Sequence, residues 1–453
     1  MVASTASPKT LAGWTGDLLA QLPAPSGPLT DVQRRGRLAL SALAPPSRHQ
    51  EAWRFTDLTL LASLDLGPSA PNARRHSPGD SSSGPSETSA RSETVCLHLD
   101  GRSDPLAGLV LPAGVTPLAD SELVLALGHT LAATGCEQDW PVELNHACAS
   151  QLLALRVASR AKVSLELVSE GGTGLLPLRV LLILEEKAEL QLCQRLTGAG
   201  AGLTSLVLEA HLGRGARLEH GLVALGPPEA ALLAHLALEQ EPESEVRLVV
   251  ASAGWGLSRL EPRVVQVDGS ATTTLRGLQL VTGEQIADTH SHMAFEGPEG
   301  QLDQLHKAVA DGRGRSVFNG AVRVPRAAQR TNAAQLSRSL LLSDRARIDT
   351  KPELEIVADD VRCAHGATVS CLQQDELFYL QSRGIAAEQA SALLKRAFCE
   401  EVLRELPAPA RLWCPFERLL AAAGPAPAAQ SGLPASTLPR VGQEPEAPEG
   451  EKG

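Results

Sequence analysis

The middle of this 453-residue chain, from about residue 93 to 372, is built of short runs in which apolar and polar residues alternate. The runs include VCLHLD, RVLLILEE, ELQLCQRL, SLVLEAHL, RLEHGLVAL, VRLVVASA and RVVQVDG. A period of two is typical of β-strands, because successive side chains point to opposite faces. Turn-like segments separate the runs, and no helical pattern of about 10–15 residues intervenes, which argues against a βαβ fold. We therefore predict stacked coils of strand, as in a β-helix, with a β-sandwich as the alternative.

Aromatic residues are scarce, at 3% of the chain. The interval 93–372 contains only Trp140, Trp255, Phe295 and Phe318. A core in this interval must therefore be built from Leu, Val, Ile and Ala, which suits a narrow β-helix better than a sandwich. The few rings argue against a stacking platform for single-stranded nucleic acid. The net charge of −11 argues against a binder of phosphate backbones.

Composition divides the chain into five segments. Residues 1–66 contain the helical runs LAGWTGDLLAQL and VQRRGRLALSAL and are predicted to form an N-terminal helical segment. Residues 67–92 are rich in Ser, Pro and Gly and are predicted to be a flexible linker. The β-helix core is assigned to 93–372, and helical spacing returns in 373–423. Residues 424–453 are low in complexity and are predicted to be a disordered tail.

Motifs of several enzyme classes are absent from the sequence. It has no Walker A motif, no G-x-S-x-G elbow and no H-E-x-x-H helix, so sequence patterns do not make it an enzyme. Its 8 cysteines include no C-x-x-C pair, which argues against a zinc ribbon or a redox motif. We expect reduced thiols and a cytoplasmic protein, since neither a secretion signal nor a membrane-spanning stretch is recognisable.

Two pairs of residues that could carry chemistry stand two positions apart. Cys363 and His365 lie in DDVRCAHGATVSC, whereas His290 and His292 lie in ADTHSHMAFEG, with His306 further along. Residues two apart share one face of a strand. A thiolate and an imidazole could then bind iron or zinc together, and the histidine pair could bind a metal. The alternatives are a buried cysteine beside a hydrogen-bonded histidine, and a ladder of side chains.

The stretch from Phe318 to Ile385 resembles the C-terminal core of the SufB/SufD family, which takes part in iron–sulfur cluster assembly. The segment EAWRFTDL resembles the EEWRYT-type segment of the same family, and the likeness extends through AAEQASALLKRAFCEEVLREL. Leu336 follows Gln335 where SufB typically has a cysteine. KPELEIVADDVRCAHGATVS resembles the SufD pattern, apart from Ser370 where glycine is usual. The resemblance is thus to the SufD branch of the family.

This resemblance implies a right-handed parallel β-helix flanked by helical segments. It also implies a non-catalytic scaffold of the SUF complex, which binds no nucleotide, pairs with SufB through the β-helix and binds the SufC ATPase through its C-terminal helices. A transient iron–sulfur cluster would form at the subunit interface, with His365 as a ligand and Cys363 as an auxiliary candidate. The residues that the resemblance assigns to SufC docking are Leu377, Phe378, Tyr379, Arg383, Leu394 and Phe398.

Two other functions remain open from the sequence. A SufB-like homodimeric scaffold is one, although Leu336 argues against it, and the isolated chain could form a homodimer in either case. A β-helical enzyme that acts on polysaccharide is the other, but it would need clustered carboxylates and aromatic sugar platforms. The family resemblance fits bacterial cytoplasm or, in a eukaryote, the plastid stroma.

Overall fold

Eighteen strands dominate the described part of the chain, residues 10–65 and 94–424 of a computed structural model. The predicted linker at 67–92 and the predicted tail, except for Gly424, lie outside the described residues. The strands are β1 Val95–His98, β2 Val115–Pro117, β3 Leu153–Val157, β4 Lys162–Gly171, β5 Gly174–Leu184, β6 Glu189–Gly198, β7 Gly202–Leu212, β8 Arg217–Leu225, β9 Ala231–Gln240, β10 Glu245–Ala253, β11 Leu257–Gln266, β12 Thr272–Val281, β13 Ile286–Phe295, β14 Gln301–Ala310, β15 Arg315–Val324, β16 Asn332–Leu341, β17 Arg347–Ile356 and β18 Arg362–Ser370.

The strands form two sheets that share the coils of a parallel β-helix. One sheet has the order β1-β4-β6-β8-β10-β12-β14-β16-β18, and the other has the order β17-β15-β13-β11-β9-β7-β5-β3-β2. From β3 onwards each strand pairs in parallel with the strand two positions later, while β2 pairs antiparallel with β3. The predicted parallel β-helix with flanking helices is confirmed. A β-sandwich is excluded, because its sheets would be antiparallel.

Aliphatic side chains fill the space between the two sheets in the first coils. Leu165 and Leu192 from one sheet and Leu182 and Leu208 from the other are fully buried in one continuous cluster. All four rings in the interval 93–372 are also buried, and those of Trp255 and Phe295 belong to this cluster. The scarcity of rings therefore follows from the narrow interior, which is filled mainly by Leu, Val and Ala.

Helices cover the outer faces at both ends of the sequence. The N-terminal helices are α1 Leu11–Gln21, α2 Thr30–Ala42 and α3 Thr59–Ser63. Three more, which the sequence reading did not anticipate inside the interval 93–372, are α4 Asp120–Ala126, α5 His129–Ala133 and α6 Trp140–Cys148. They are all shorter than the periodic window used to recognise helices. The start of α6 nevertheless carries a recognisable signal, Asp139 at the N-cap followed by Trp140-Pro141.

The C-terminal helices pack on the outer face of the sheet that ends in β18. They are α7 Gln374–Ser382, α8 Ala387–Leu403, α9 Ala408–Arg411 and α10 Pro415–Ala423. Val402, Leu403 and Leu406 bury their side chains against that face, whereas α7 has no buried residue. No helix in the described ranges is long and apolar enough to span a membrane.

Candidate functional site

The β-helix is open at its C-terminal end. Strands β17 and β18 form the last coil, and each is the final strand of its sheet within the described residues. An edge strand of this kind leaves one row of backbone N–H and C=O groups without a sheet partner. Apolar side chains are exposed beside these edges, at Ile356, Val357 and Val369. The last coil therefore presents a surface that another β-strand could extend.

Cys363 and His365 both point toward the axis of the coil, on the inner face of β18. Their partners one coil earlier are Ala333 and Gln335, which are both buried. Cys363 is half-buried and packs against the aliphatic interior. His365 is exposed, because no coil of the described structure lies above it. The structure thus brings the two residues onto one face, as their spacing predicts, with the histidine at the open end.

Burial raises the pKa of the Cys363 thiol, and a hydrogen bond with the backbone of Ala333 opposes that shift only in part. A raised pKa favours the protonated thiol over the thiolate, which is the form that binds metals. In this structure Cys363 is therefore a half-buried thiol whose protonated form is favoured over the metal-binding thiolate.

A chain of buried amides lies beneath His365. Gln335 Nε2 donates to Gln304 Oε1 at 2.9 Å, and Gln304 Nε2 donates to Ser291 Oγ at 2.7 Å. All three side chains are buried in the interior of the β-helix. In the sequence, Gln335 marks only the position that distinguishes SufB from SufD. Its inward position could have been read from the alternation in NAAQLSRS, where every second residue is inward and small or polar.

The histidine pair of β13 does not form one site with His306. His290 lies on the outer face, where its Nε2 is 3.0 Å from Asp288 Oδ1. His292 lies on the same face, and burial lowers its pKa to about 4. His306 lies inside the coil, stacked on the ring of Phe318 at 4.3 Å between centroids. Strand alternation correctly places His290 and His292 together, but it cannot show that His306 lies in the other sheet, on its inner face.

Among the described residues, one cluster has the geometry of a metal site, formed by Asp139, His235 and Glu261. His235 Nε2 lies 3.6 Å from Asp139 Oδ2 and 3.4 Å from Glu261 Oε2. The guanidinium of Arg263 already contacts the same two oxygens, at 3.1 and 2.8 Å. Since a cation already neutralises these carboxylates, the cluster is an ion-pair network that fixes the start of α6 on the β-helix.

The segment EAWRFTDL fastens the N-terminal helices to the outside of the β-helix. The Arg259 guanidinium lies over the Trp53 ring at 3.7 Å and donates to the Ala52 carbonyl oxygen at 2.9 Å. The hydroxyl of Thr56 donates to Asp288, which is fully buried. The likeness of this segment to the family therefore corresponds to an internal docking contact.

A second contact joins the EAWRFTDL segment to the last coil at the open end of the β-helix. Glu51 forms an ion pair with Lys351 of β17, on the outer face of the last coil. The N-terminal helical segment is thus anchored close to the coil that carries His365.

The residues that the resemblance assigns to SufC docking fall into three groups. Phe378 and Tyr379 are 72% and 57% exposed on α7, and the guanidinium of Arg383 lies 5.2 Å from the centre of the Tyr379 ring. Leu377 on α7 and Leu394 on α8 are half-buried. Phe398 packs against the sheet, and its carbonyl oxygen accepts a hydrogen bond from the buried Lys307 Nζ at 2.8 Å. The first group forms an exposed apolar surface, whereas Phe398 serves the attachment of α8.

This chain is similar in sequence to known proteins over the part that contains the last coil. The family model for the SufBD core domain of SUF-system FeS cluster assembly matches residues 167–398. The protein ABCI7 of Arabidopsis thaliana, which is chloroplastic, is 34% identical over 86% of this chain and 85% of its own length. This chain belongs to the SufB/SufD family. The family assignment makes it a SUF-type protein of iron–sulfur cluster assembly.

Two further relatives of the SufB/SufD family align over shorter lengths. A SufBD family protein of Synechocystis, slr0076, is 38% identical over 51% of this chain and 53% of its own length. The iron–sulfur cluster assembly protein SufD of Escherichia coli is 36% identical over 31% of this chain and 34% of its own length. The aligned regions thus span about half and a third of these two relatives. The SufBD core match includes Cys363, His365 and α7 but excludes the EAWRFTDL segment.

Proposed function

We propose that this chain is a SufD-like, non-catalytic scaffold subunit, which pairs with SufB, binds the SufC ATPase and lends His365 to a transient iron–sulfur cluster. The observation that carries the proposal is the exposure of His365 on the inner face of the last coil. The replacement of the SufB-type cysteine by Leu336, together with the likeness to a protein named SufD, supports the SufD branch.

Pairing with SufB would take place through the open end of the β-helix. Strands from a homologous partner could pair with the free edges of β17 and β18, which would satisfy backbone groups and cover Ile356 and Val369. A second copy of this chain could use the same edges, so the isolated protein could form a homodimer.

At such an interface His365 would face the partner subunit. A neutral imidazole is a good ligand for iron, and a site shared by two chains is complete only when they are correctly apposed. Cys363 would assist only if its thiol lost a proton, which its raised pKa opposes. The cluster is therefore cargo held at the interface rather than a resident cofactor of this chain.

SufC would dock on the exposed surface of Phe378 and Tyr379. Large rigid rings contribute strongly to interfaces when they become buried. Arg383 beside Tyr379 would add a charged group at the rim. The chain itself would bind no nucleotide, and movement of SufC during ATP hydrolysis would open or close the cluster site. The expected location is bacterial cytoplasm or plastid stroma.

Co-expression of the full chain with SufB and SufC tests this proposal. We expect one copy of this chain to purify with one SufB and with SufC, and we expect the chain alone to show no ATP hydrolysis. Measurement of mass in solution distinguishes this complex from a homodimer. A chain that remained a homodimer, or stayed monomeric, in the presence of SufB would contradict the proposed pairing.

A further inference from the structure

The buried amide of Gln335 has an unused acceptor directly below His365. Its Nε2 is occupied by Gln304, whereas its Oε1 is buried and accepts no hydrogen bond in the described structure. Gln335 is only 3% exposed and is the register partner of His365. A buried acceptor without a donor destabilises the folded state, because it has lost its hydrogen bonds to water. The site therefore favours a donor at this position.

Residues of the opposite sheet confine the side-chain amide of Gln335. A Cβ atom at Gly320 would lie 2.3 Å from Gln335 Nε2 and 2.8 Å from the Phe318 ring. Any larger residue at position 320 would displace the amide, so glycine is required there by close approach rather than by backbone conformation. Phe318, Gly320, Gln335 and His365 all lie in the stretch that resembles the family. In the structure Phe318 and Gln335 both crowd Gly320, and Gln335 pairs with His365 in the strand register.

We infer that Gln335 is a positioning residue for His365: its Oε1 accepts one ring N–H and leaves the other ring nitrogen unprotonated toward the open end. The inference rests on the proposed role of His365 in cluster formation. A metal-binding histidine normally has its other N–H fixed by a carboxylate, amide or carbonyl acceptor, which selects the tautomer and the ring orientation. Gln335 supplies such an acceptor from a rigid interior position.

The same chemistry already exists in an earlier coil. There His220 Nε2 lies 3.1 Å from Gln194 Oε1, and both residues are fully buried. Gln194 and His220 are diagonal neighbours on paired strands, whereas Gln335 and His365 are direct register partners. An inward glutamine can thus accept a histidine N–H within this narrow interior. At the open end one difference matters, because the second nitrogen of His365 faces outward instead of into the core.

NMR of the full chain with labelled imidazole nitrogens tests the inference without any cluster. We expect His365 in the wild-type protein to show a single tautomer at neutral pH. Gln335→Met, which preserves volume, should convert the His365 signals to a mixture of tautomers. Gln335→Glu, which keeps an acceptor, should restore the single tautomer. Signals of His365 are assigned by their loss in His365→Ala.

Gln194→Met is the matched control, since it removes a buried glutamine from the other half of the β-helix. It should alter the signals of His220 and leave those of His365 unchanged. Identical His365 signals in the wild-type protein and in Gln335→Met would overturn the inference, whether or not His365 proves to be a ligand. If the proposed function also holds, Gln335→Met should lower cluster occupancy of the complex about 10-fold or more.

Discussion

The first and the last coils of the β-helix share one backbone geometry but enclose different interiors. The change from mainly aliphatic to polar residues is seen along one column of register partners that face the interior of the β-helix. This column runs through Leu192, His220, Leu248, Leu275, Gln304, Gln335 and His365. The first coils bury leucines almost completely. The last coils replace them with amides and then with an exposed imidazole. The same fold thus places its most aliphatic interior and its proposed functional site at different positions along its axis.

The energetic consequence of this difference can be estimated. A fully buried leucine stabilises the folded state by about 1.5–3 kcal/mol, whereas an internal hydrogen bond between neutral groups contributes about 1 kcal/mol net. The polar coils therefore stabilise the fold less than the aliphatic coils do. They hold polar groups in fixed orientations, and at the open end His365 is exposed on the side proposed to face a partner.

The largest expected effect is in the aliphatic coils. Leu208→Ala removes a fully buried side chain and should lower the free energy of unfolding by about 2–5 kcal/mol. Leu354→Ala is the matched substitution in the last coil, where the side chain is only half-buried, and it should lower the free energy of unfolding by about 1 kcal/mol. Urea unfolding of both variants measures the difference. Equal losses would contradict the contrast between the two regions.

Acid should destabilise both regions, because each encloses a neutral histidine. Burial lowers the pKa of His220 and of His306 to about 3. Below the unfolded-state pKa of about 6.5, only the unfolded chain takes up these protons, so stability is full above that pH and falls as the pH drops toward 3.

Replacement of one histidine measures how much that histidine contributes to the loss of stability at low pH. Between about pH 6.5 and 5, the His306→Gln variant should lose about 2 kcal/mol less stability than the wild-type protein. Urea unfolding at the two pH values provides the measurement. His220→Gln serves as the control in the aliphatic coils, with a similar expected effect. An unchanged pH dependence in both variants would show that the histidines are already protonated in the folded protein.

At the open edge, a substitution should affect pairing far more than stability. Val369 is 53% exposed on β18, so Val369→Asp should change the free energy of unfolding by no more than about 0.5 kcal/mol. It should nevertheless abolish co-purification with SufB, because it places a charge in the proposed interface. Val110→Asp, at a residue 88% exposed outside the β-helix strands, is the control and should retain SufB. Retention of SufB by both variants would exclude the Val369 edge from the interface.

The smallest effect on stability is expected at α7. Phe378→Asp should leave the urea unfolding midpoint unchanged, since the ring is mostly exposed, yet it should release SufC from the complex while SufB stays bound. Leu412→Asp changes an equally exposed apolar residue elsewhere in the C-terminal segment and should retain SufC. Loss of SufC from both variants, or from neither, would argue against a docking surface centred on Phe378.

Short-range sequence patterns predicted the features of this fold that depend on residues close together in the chain. Period-two alternation gave the strands, and it also placed Cys363 beside His365 on one face. The short helix α6 was missed because it is shorter than the window in which a helical period is recognised, and because its burial on nearly all sides against α2 and the β-helix leaves no apolar stripe. The same limit applies to Trp53, whose partner Arg259 lies about 200 residues away. The acceptor role of Gln335 was hidden because it depends on a glycine of the opposite sheet.

One measurement tests the central claim most directly: the cluster content of the complex with SufB and SufC when His365 is replaced by alanine. His98→Ala is the control, because Cys96 and His98 have the same spacing at the other edge of the same sheet, on the outer face of β1, with Sγ and Nε2 3.8 Å apart. We predict that His365→Ala assembles an intact complex with at least about 10-fold less cluster, while His98→Ala matches the wild-type protein. Wild-type cluster content in the His365→Ala complex would contradict the account.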